Sequence, residues 1–161
     1  MTAVLATYVP VAPNSQVNLK WGLRQGRWGL PRLPISSEGG VGFQWMVLGT
    51  RTKGLPHGPR SQPETWVTGK TDIYVLRATS RIQEFSDHFW PDEVDSRQLL
   101  YPYRFGVEKV AFGIQLRNRF DDPIPKEISN GVRVAAGGGP NIVHVTDDEM
   151  RRLIEHLGGK V

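Results

Sequence analysis

The chain has 161 residues, no cysteine and a formal net charge of +4. A domain of this length can bury a core without crosslinks, and the lack of cysteine excludes disulfides and cysteine-based zinc sites. No apolar run approaches the twenty residues of a membrane helix, and the first residues lack the pattern of a signal peptide. We therefore expect one soluble, cytoplasmic domain over residues 1–161, with no cofactor and no membrane partner.

Positive charge is concentrated in the first 60 residues, where seven Lys and Arg stand against one acid, Glu38. A one-sided basic surface favours binding to phosphate backbones. The alternative is a solvated basic face with no partner, and charge alone does not separate the two. The candidate backbone-binding residues are Arg24, Arg27, Arg32, Arg51, Lys53, Arg60 and, later in the chain, Arg119.

The first predicted elements are a strand, a helix and a loop. Residues 3–9 are short, apolar and rich in branched and aromatic side chains, which predicts a strand. A helix follows, with Asn14 and Ser15 as candidate caps and Gly26 as the terminator. We predict a loop that starts near Trp28.

Further strands are predicted at 41–50, 72–79 and 101–112 from their branched and aromatic content and their alternation. A long loop between the first two of these is broken by glycine and proline at 54–63, and such loops are often functional or mobile. Together the strands predict a sheet.

The clearest helix is predicted near the end of the chain. Thr146 and Glu149 have the spacing of a capping box, and the apolar residues up to Leu157 follow helical periodicity. The glycine-rich stretch at 135–140 is expected to be a flexible connection.

Two motifs suggest enzymes and fail on inspection. Residues 68–71 (TGKT) imitate the end of a phosphate-binding loop, but the required upstream glycine is Glu64 and the stretch enters a predicted strand. The acids at 92, 93 and 95 suggest a magnesium-dependent nuclease, but no lysine or histidine pair nearby completes such a site. The nuclease is kept as an alternative that would use Asp92, Glu93 and Asp95.

The tryptophans carry more information than these motifs. Trp28 and Trp90 stand in predicted loops, whereas Trp21 and Trp45 lie within periodic segments. A loop tryptophan can stack on a nucleic-acid base or line a pocket for a methylated group. Simple packing is an equal alternative for each.

Two blocks of sequence resemble known families. Asn14-xxx-Asn18-Leu19 followed by Gly26-x-Trp28 resembles, at the same spacing, the first helix and following tryptophan of YTH domains, which read N6-methyladenine. Residues 89–93 (FWPDE) and 101–105 (YPYRF) resemble the corresponding block of EVE domains and of McrB-type N-terminal domains. These families share a PUA-like α+β fold, a small, partly open β-barrel with flanking helices, and the resemblance implies this fold from Tyr8 to Leu157.

The resemblance also implies roles for individual residues. Trp28 and Trp90 match the walls of an aromatic cage, and Asn14 and Asn18 match positions whose amides bind the edge of the base. Further candidate contacts are Gly29 through its backbone, Asp92 to an exocyclic amino group and Tyr101 as a third wall. The chain departs from YTH domains at Gly29, where serine is common, and residues 51–70 look like an insertion of restriction-associated relatives.

The predicted function is recognition of nucleic acid, most simply DNA, that carries a methylated adenine or a 5-modified cytosine. The base would be flipped out of the duplex into the cage. The domain would be the non-enzymatic recognition module of a modification-dependent restriction system, with a fused or recruited nuclease as partner. The alternatives are an RNA reader of the same fold, the nuclease described above, and an interaction module whose tryptophans are only core.

Overall fold

The computed structural model describes residues 1–36, 42–119 and 123–160 as an α+β fold. Residue 41, where one predicted strand begins, and residue 161, the end of the predicted domain, lie outside the described residues. The strands are β1 (Thr2–Val9), β2 (Arg27–Leu30), β3 (Ile35–Ser36), β4 (Trp45–Lys53), β5 (Lys70–Ala78), β6 (Gln83–Glu84), β7 (Tyr103–Arg117) and β8 (Asn141–Val145). The helices are α1 (Pro13–Gln25), α2 (Pro63–Trp66), α3 (Pro91–Ser96), α4 (Lys126–Gly138) and α5 (Asp147–His156).

The strands form one mixed sheet in the order β2-β7-β5-β4-β1-β8-β3, and β6 pairs with β7. β1 is parallel to β4 and antiparallel to β8, so the C-terminal ends of β1 and β4 lie side by side. Within the described residues the edge strands β2 and β3 do not pair with each other. The predicted α+β class with flanking helices is confirmed, but the sheet is not closed into a barrel.

Two apolar clusters cover opposite faces of the sheet, because side chains alternate along each strand. Val4 and Ala6 of β1 belong to the cluster that α2, α4 and α5 cover. Leu5 and Val9 of the same strand belong to the other cluster, which α1 and β2 cover. We call these the helix-covered face and the α1 face.

The local signals that predicted α1 and α5 are largely confirmed. α1 ends at Gly26, which adopts φ 68° as a left-handed cap. It begins two to three residues earlier than expected, because Pro13 occupies the first turn and Ala12 is the cap, so the predicted capping by Asn14 or Ser15 is wrong. In α5, Thr146 and Glu149 form the predicted capping box.

Two predictions of irregular chain are wrong. The loop expected from Trp28 starts as strand β2, which pairs Trp28 with Phe105 of the distant β7. The flexible connection expected at 135–140 is mostly helix, since α4 continues to Gly138. α4 is held by packing against the sheet, where a side chain at Gly131 would come within 2.8 Å of the methyl group of Ala6.

Candidate functional site

A cavity of about 180 Å³ opens where the C-terminal ends of β1 and β2 meet α1 and the end of α4. An apolar cavity of about 150 Å³ can hold benzene, so this one has enough volume for a small aromatic ring. The wall comes from four distant parts of the chain. Its residues are Thr7, Tyr8, Val9, Pro10, Ser15, Asn18, Trp28, Gly29, Leu30, Pro31, Trp90, Tyr101, Ala135, Gly139 and Pro140.

Trp28 and Trp90, the two predicted cage residues, both line this cavity. Trp28 lies within β2 and not in the predicted loop, whereas Trp90 stands in a loop as predicted, at the residue before α3. Trp28 is 9% exposed and Trp90 is 2% exposed. Their rings are therefore walls that are already fixed by the fold, rather than side chains that close on arrival of a ligand.

Gly29 is the residue that lets Trp90 reach the cavity wall. A Cβ atom at Gly29 would lie 2.5 Å from Cη2 of Trp90 and 2.9 Å from Cβ of Tyr101, both far inside van der Waals contact. Glycine at this position, where YTH domains commonly have serine, therefore follows from close packing of the Trp90 ring on the β2 backbone.

A buried carboxylate holds the segment that carries Trp90 and Tyr101. Glu93 is fully buried, and its two oxygens accept backbone N–H bonds of 2.9–3.0 Å from Phe89, Trp90, Leu100 and Tyr101. Arg104, also buried, pairs with the same carboxylate at 3.2 Å. Burial alone would raise the pKa of Glu93, but the backbone donors outweigh it and bring that pKa below its usual value.

A chain of hydrogen bonds connects Asn18, Tyr101 and Asp92. The Tyr101 hydroxyl donates to Oδ2 of Asp92 at 2.7 Å, and Nδ2 of Asn18 approaches the same hydroxyl at 3.5 Å. Burial, with the hydrogen bond and charge of Asp92, raises the pKa of Tyr101 far above its usual value, so the phenol keeps its proton.

This series of hydrogen bonds determines which side-chain atom of Asn18 remains without a partner. A carboxylate only accepts, so the Tyr101 proton points to Asp92 and the phenol oxygen accepts from Asn18. Asn18 therefore directs its NH₂ group toward Tyr101, and its Oδ1 is left over. Asn18 is 7% exposed, lines the cavity, and its Oδ1 has no hydrogen-bond partner in the described residues.

Asp92 does not itself line the cavity, but one of its oxygens is also unpaired. Oδ1 of Asp92 is buried without a partner in the described part of the chain, while Oδ2 is bound by Tyr101. A buried acceptor without a donor costs free energy, so the unpaired Oδ1 of Asn18, in a residue that lines the cavity, points to a ligand that brings a donor.

The other predicted base-binding residue, Asn14, lies elsewhere. It is exposed in the first turn of α1 and is not among the residues that line the cavity. Ser15, on the next position of the same turn, does line it, as do Tyr8 and the end of α4. The sequence reading missed these residues because polar type at one position of a helix does not show which face the tertiary packing covers.

The predicted backbone-binding residues are all exposed, but they are spread over several surfaces. Arg32 follows Pro31 of the cavity wall and donates to the carbonyl of Gly138 at 3.4 Å. Arg27 stacks on Phe85 and Phe89 instead of pointing freely into solvent. The remaining ones are Arg24 at the end of α1, Arg51 and Lys53 at the end of β4, Arg60 in the following loop and Arg119 after β7.

The acids at 92, 93 and 95 do not converge on a common metal site. Glu93 is occupied by backbone donors, Asp92 is bound to Tyr101 and Asp95 is exposed. Among the described residues no group of three or more potential metal ligands comes together. In the same ranges, no helix has the length and hydropathy to cross a bilayer.

No protein-family model matches the chain, and a sequence search of curated proteins finds no match.

Proposed function

We propose that this domain binds nucleic acid by accepting one modified base in the cavity between Trp28, Trp90 and Tyr101. The observation that carries the proposal is the unpaired Oδ1 of Asn18, a buried acceptor on a residue that lines a cavity with aromatic walls. Stacking on the aromatic walls contributes about 1 to 3 kcal/mol per base contact, and the amide oxygen distinguishes one base from another.

The acceptor favours bases that present an amino group on the edge that faces the major groove. Adenine offers N6–H and cytosine N4–H as donors, whereas guanine and thymine present carbonyl oxygens at the corresponding positions. A base with an oxygen there would leave the Asn18 carbonyl unpaired against another acceptor. N6-methyladenine and 5-modified cytosine both retain an amino donor, so both fit the proposal.

Entry of a base requires that it leave the stack. Flipping costs a few kcal/mol, which stacking on the walls and contacts to phosphates must offset. The walls are already packed in the free protein, so binding orders few side chains and the entropic cost is small. In this proposal the domain is a PUA-like reader of the YTH and EVE type, with DNA as partner and cleavage, if any, done by a nuclease fused to it or recruited.

The test is a binding panel at fixed salt. Otherwise identical oligonucleotides carry one adenine, N6-methyladenine, cytosine, 5-methylcytosine or 5-hydroxymethylcytosine, as duplex DNA and as single-stranded RNA. We expect one modified form to bind at least about tenfold tighter than its unmodified partner, a difference of about 1.4 kcal/mol. Equal affinity for all forms would refute the reader function, and a preference for the RNA arm would replace DNA by RNA as the partner.

A further inference from the structure

Three basic side chains lie in register across the end of the sheet. Lys53 of β4 is paired with Lys70 of β5, which is paired on its other side with Arg117 of β7. All three are exposed, and within the described residues none forms an ion pair. Directly opposed residues share one face of a sheet, so the three form one row, which we call the basic row.

Two β-bulges create this row. Upstream of the bulges, β4 pairs Thr50 with Asp72 and β7 pairs Gly113 with Ile73. If those registers continued unchanged, Lys70 would face Thr52 and Leu116. One extra residue in each outer strand brings Lys53 and Arg117 opposite Lys70 instead.

Each bulge holds a residue in an unfavourable backbone conformation. Arg51 in β4 and Gln115 in β7 both have φ 55°, the left-handed region that non-glycine residues rarely adopt. Asp72, between them on β5, accepts from the backbone N–H of Gln115 at 2.9 Å and from its side chain at 3.1 Å. Directly opposed like charges are also unfavourable in a sheet. Strain and repulsion at one place indicate a surface that is shaped for a ligand.

A series of hydrogen bonds runs from the cavity to the residues next to the basic row. Tyr8, which lines the cavity, donates to Thr52; Thr52 donates to Thr71, and Thr71 donates to Asn118, over distances of 3.0, 2.9 and 2.7 Å. The last three residues are the sequence neighbours of Lys53, Lys70 and Arg117, so their side chains point to the opposite face of the sheet at the same end. The row and the cavity therefore lie at one end of the sheet, with β1 and β7 about 14 Å apart across three strand spacings.

We infer that the basic row binds the phosphate backbone of the nucleic acid whose base enters the cavity. The partner's identity rests on the proposed function, while the row itself is independent of base recognition. One nucleic-acid strand carries a phosphate about every 3.4 Å along a duplex axis, so a strand that crosses this edge offers several phosphates to the row. Phosphates carry no base information, so the row adds affinity without selectivity.

The test is the salt dependence of binding for a Lys53→Gln, Lys70→Gln, Arg117→Gln variant. The matched control removes three exposed positive charges from elsewhere, as Arg81→Gln, Lys109→Gln, Lys160→Gln. On duplex DNA, the row variant should lower the slope of log affinity against log salt by about 2.7, and the control by much less. The row variant should weaken modified and unmodified oligonucleotides equally, and its thermal stability should equal or exceed that of the wild type.

The outcomes separate this proposal from the reader function. A row variant with the slope and affinity of the control overturns the basic row, even if the preference for a modified base persists. If the row variant shows the reduced slope but the wild type binds modified and unmodified oligonucleotides equally, the basic row is supported and the reader function is overturned. A wild type that binds no oligonucleotide overturns both.

Discussion

The surroundings of Trp66 on the helix-covered face and of Trp90 beside α1 differ in how polar groups are satisfied. On the helix-covered face, Nε1 of Trp66 donates to Ser129 at 3.0 Å, and Ser129 in turn donates to the carbonyl of Asn118. On the α1 face, Asn18 and Asp92 each keep one buried oxygen without a donor in the described residues. Both faces have well-packed apolar clusters, so packing alone does not distinguish them.

The difference separates a structural tryptophan from a candidate binding tryptophan. Trp66 and Trp90 are almost equally buried, at 1% and 2% exposure. Trp66 has its polar atom satisfied inside the protein, whereas Trp90 borders a cavity with an unpaired acceptor. Satisfaction of neighbouring polar groups thus separates these two tryptophans where exposure does not.

The largest expected effect is on stability, from Glu93→Gln. Removing one partner of a buried ion pair costs about 3–5 kcal/mol, and Gln also turns an amide NH₂ toward backbone N–H donors. Urea unfolding should show this loss, whereas Glu108→Gln at an exposed position should stay within about 0.5 kcal/mol of the wild type. A Glu93→Gln protein as stable as the control would mean that the carboxylate does not hold the Trp90 segment.

The same residue predicts a pH dependence. Because its folded pKa is lowered, Glu93 stabilises the native state above the unfolded pKa of about 4.3, and this contribution is lost as pH falls through the folded pKa. Wild-type stability should therefore fall more steeply than that of Glu93→Gln below about pH 4.3. Parallel pH profiles for the two proteins would contradict the assignment.

A smaller effect, on binding, should distinguish the tryptophans. Trp28→Ala and Trp90→Ala should each weaken binding of modified DNA by about 1 to 3 kcal/mol, roughly ten- to hundredfold, with a smaller loss for unmodified DNA. Trp66→Ala should destabilise the fold by about 3–5 kcal/mol and leave the ratio of modified to unmodified affinity unchanged. Trp90→Phe keeps a ring for packing and serves where the alanine variant does not fold. If Trp90→Ala lost equal affinity for modified and unmodified DNA, Trp90 would have only a structural role, like Trp66.

The smallest effect is expected at Asn18. Its amide makes one long bond and leaves an oxygen unpaired, so Asn18→Ala should change the melting temperature little. It should reduce the preference for amino-bearing bases by about 0.5–1.5 kcal/mol, the net worth of one hydrogen bond. Asn14→Ala, in the same helix but exposed, is the matched control and should change neither property. If both variants lose selectivity alike, the cavity is not where the base is read.

What the sequence predicted well was local. The Gly26 cap and the Thr146–Glu149 capping box depend on neighbours within a few residues, and both are present. Trp28, Trp90, Asn18 and Tyr101 were grouped through resemblance to known families, and they do line one cavity. The PUA-like assignment and the modified-base function stay predictions.

What the sequence did not predict depends on contacts between distant segments. β2 exists because Trp28 pairs with Phe105, and no local signal of four residues indicates this. Lys70 and Arg117 were missed because a one-residue bulge changes which residue faces which, and bulges are not visible in periodicity. Ser15 lines the cavity only because of how α1 lies on the sheet.

The pairing of β1 with β8 has a consequence for how the protein is made. β1 precedes every other described strand, and its partner residues come much later, as in the pair Leu5 and Ile142. Synthesis proceeds from the N-terminus, so one side of this apolar strand stays unpaired until almost all the described chain has emerged. Sheets with such distant pairings fold slowly, and open strand edges invite aggregation. A larger side chain at Gly131, which contacts Ala6 of β1, would delay the docking of α4. The first visible effect of such a substitution would be a poor yield of soluble protein.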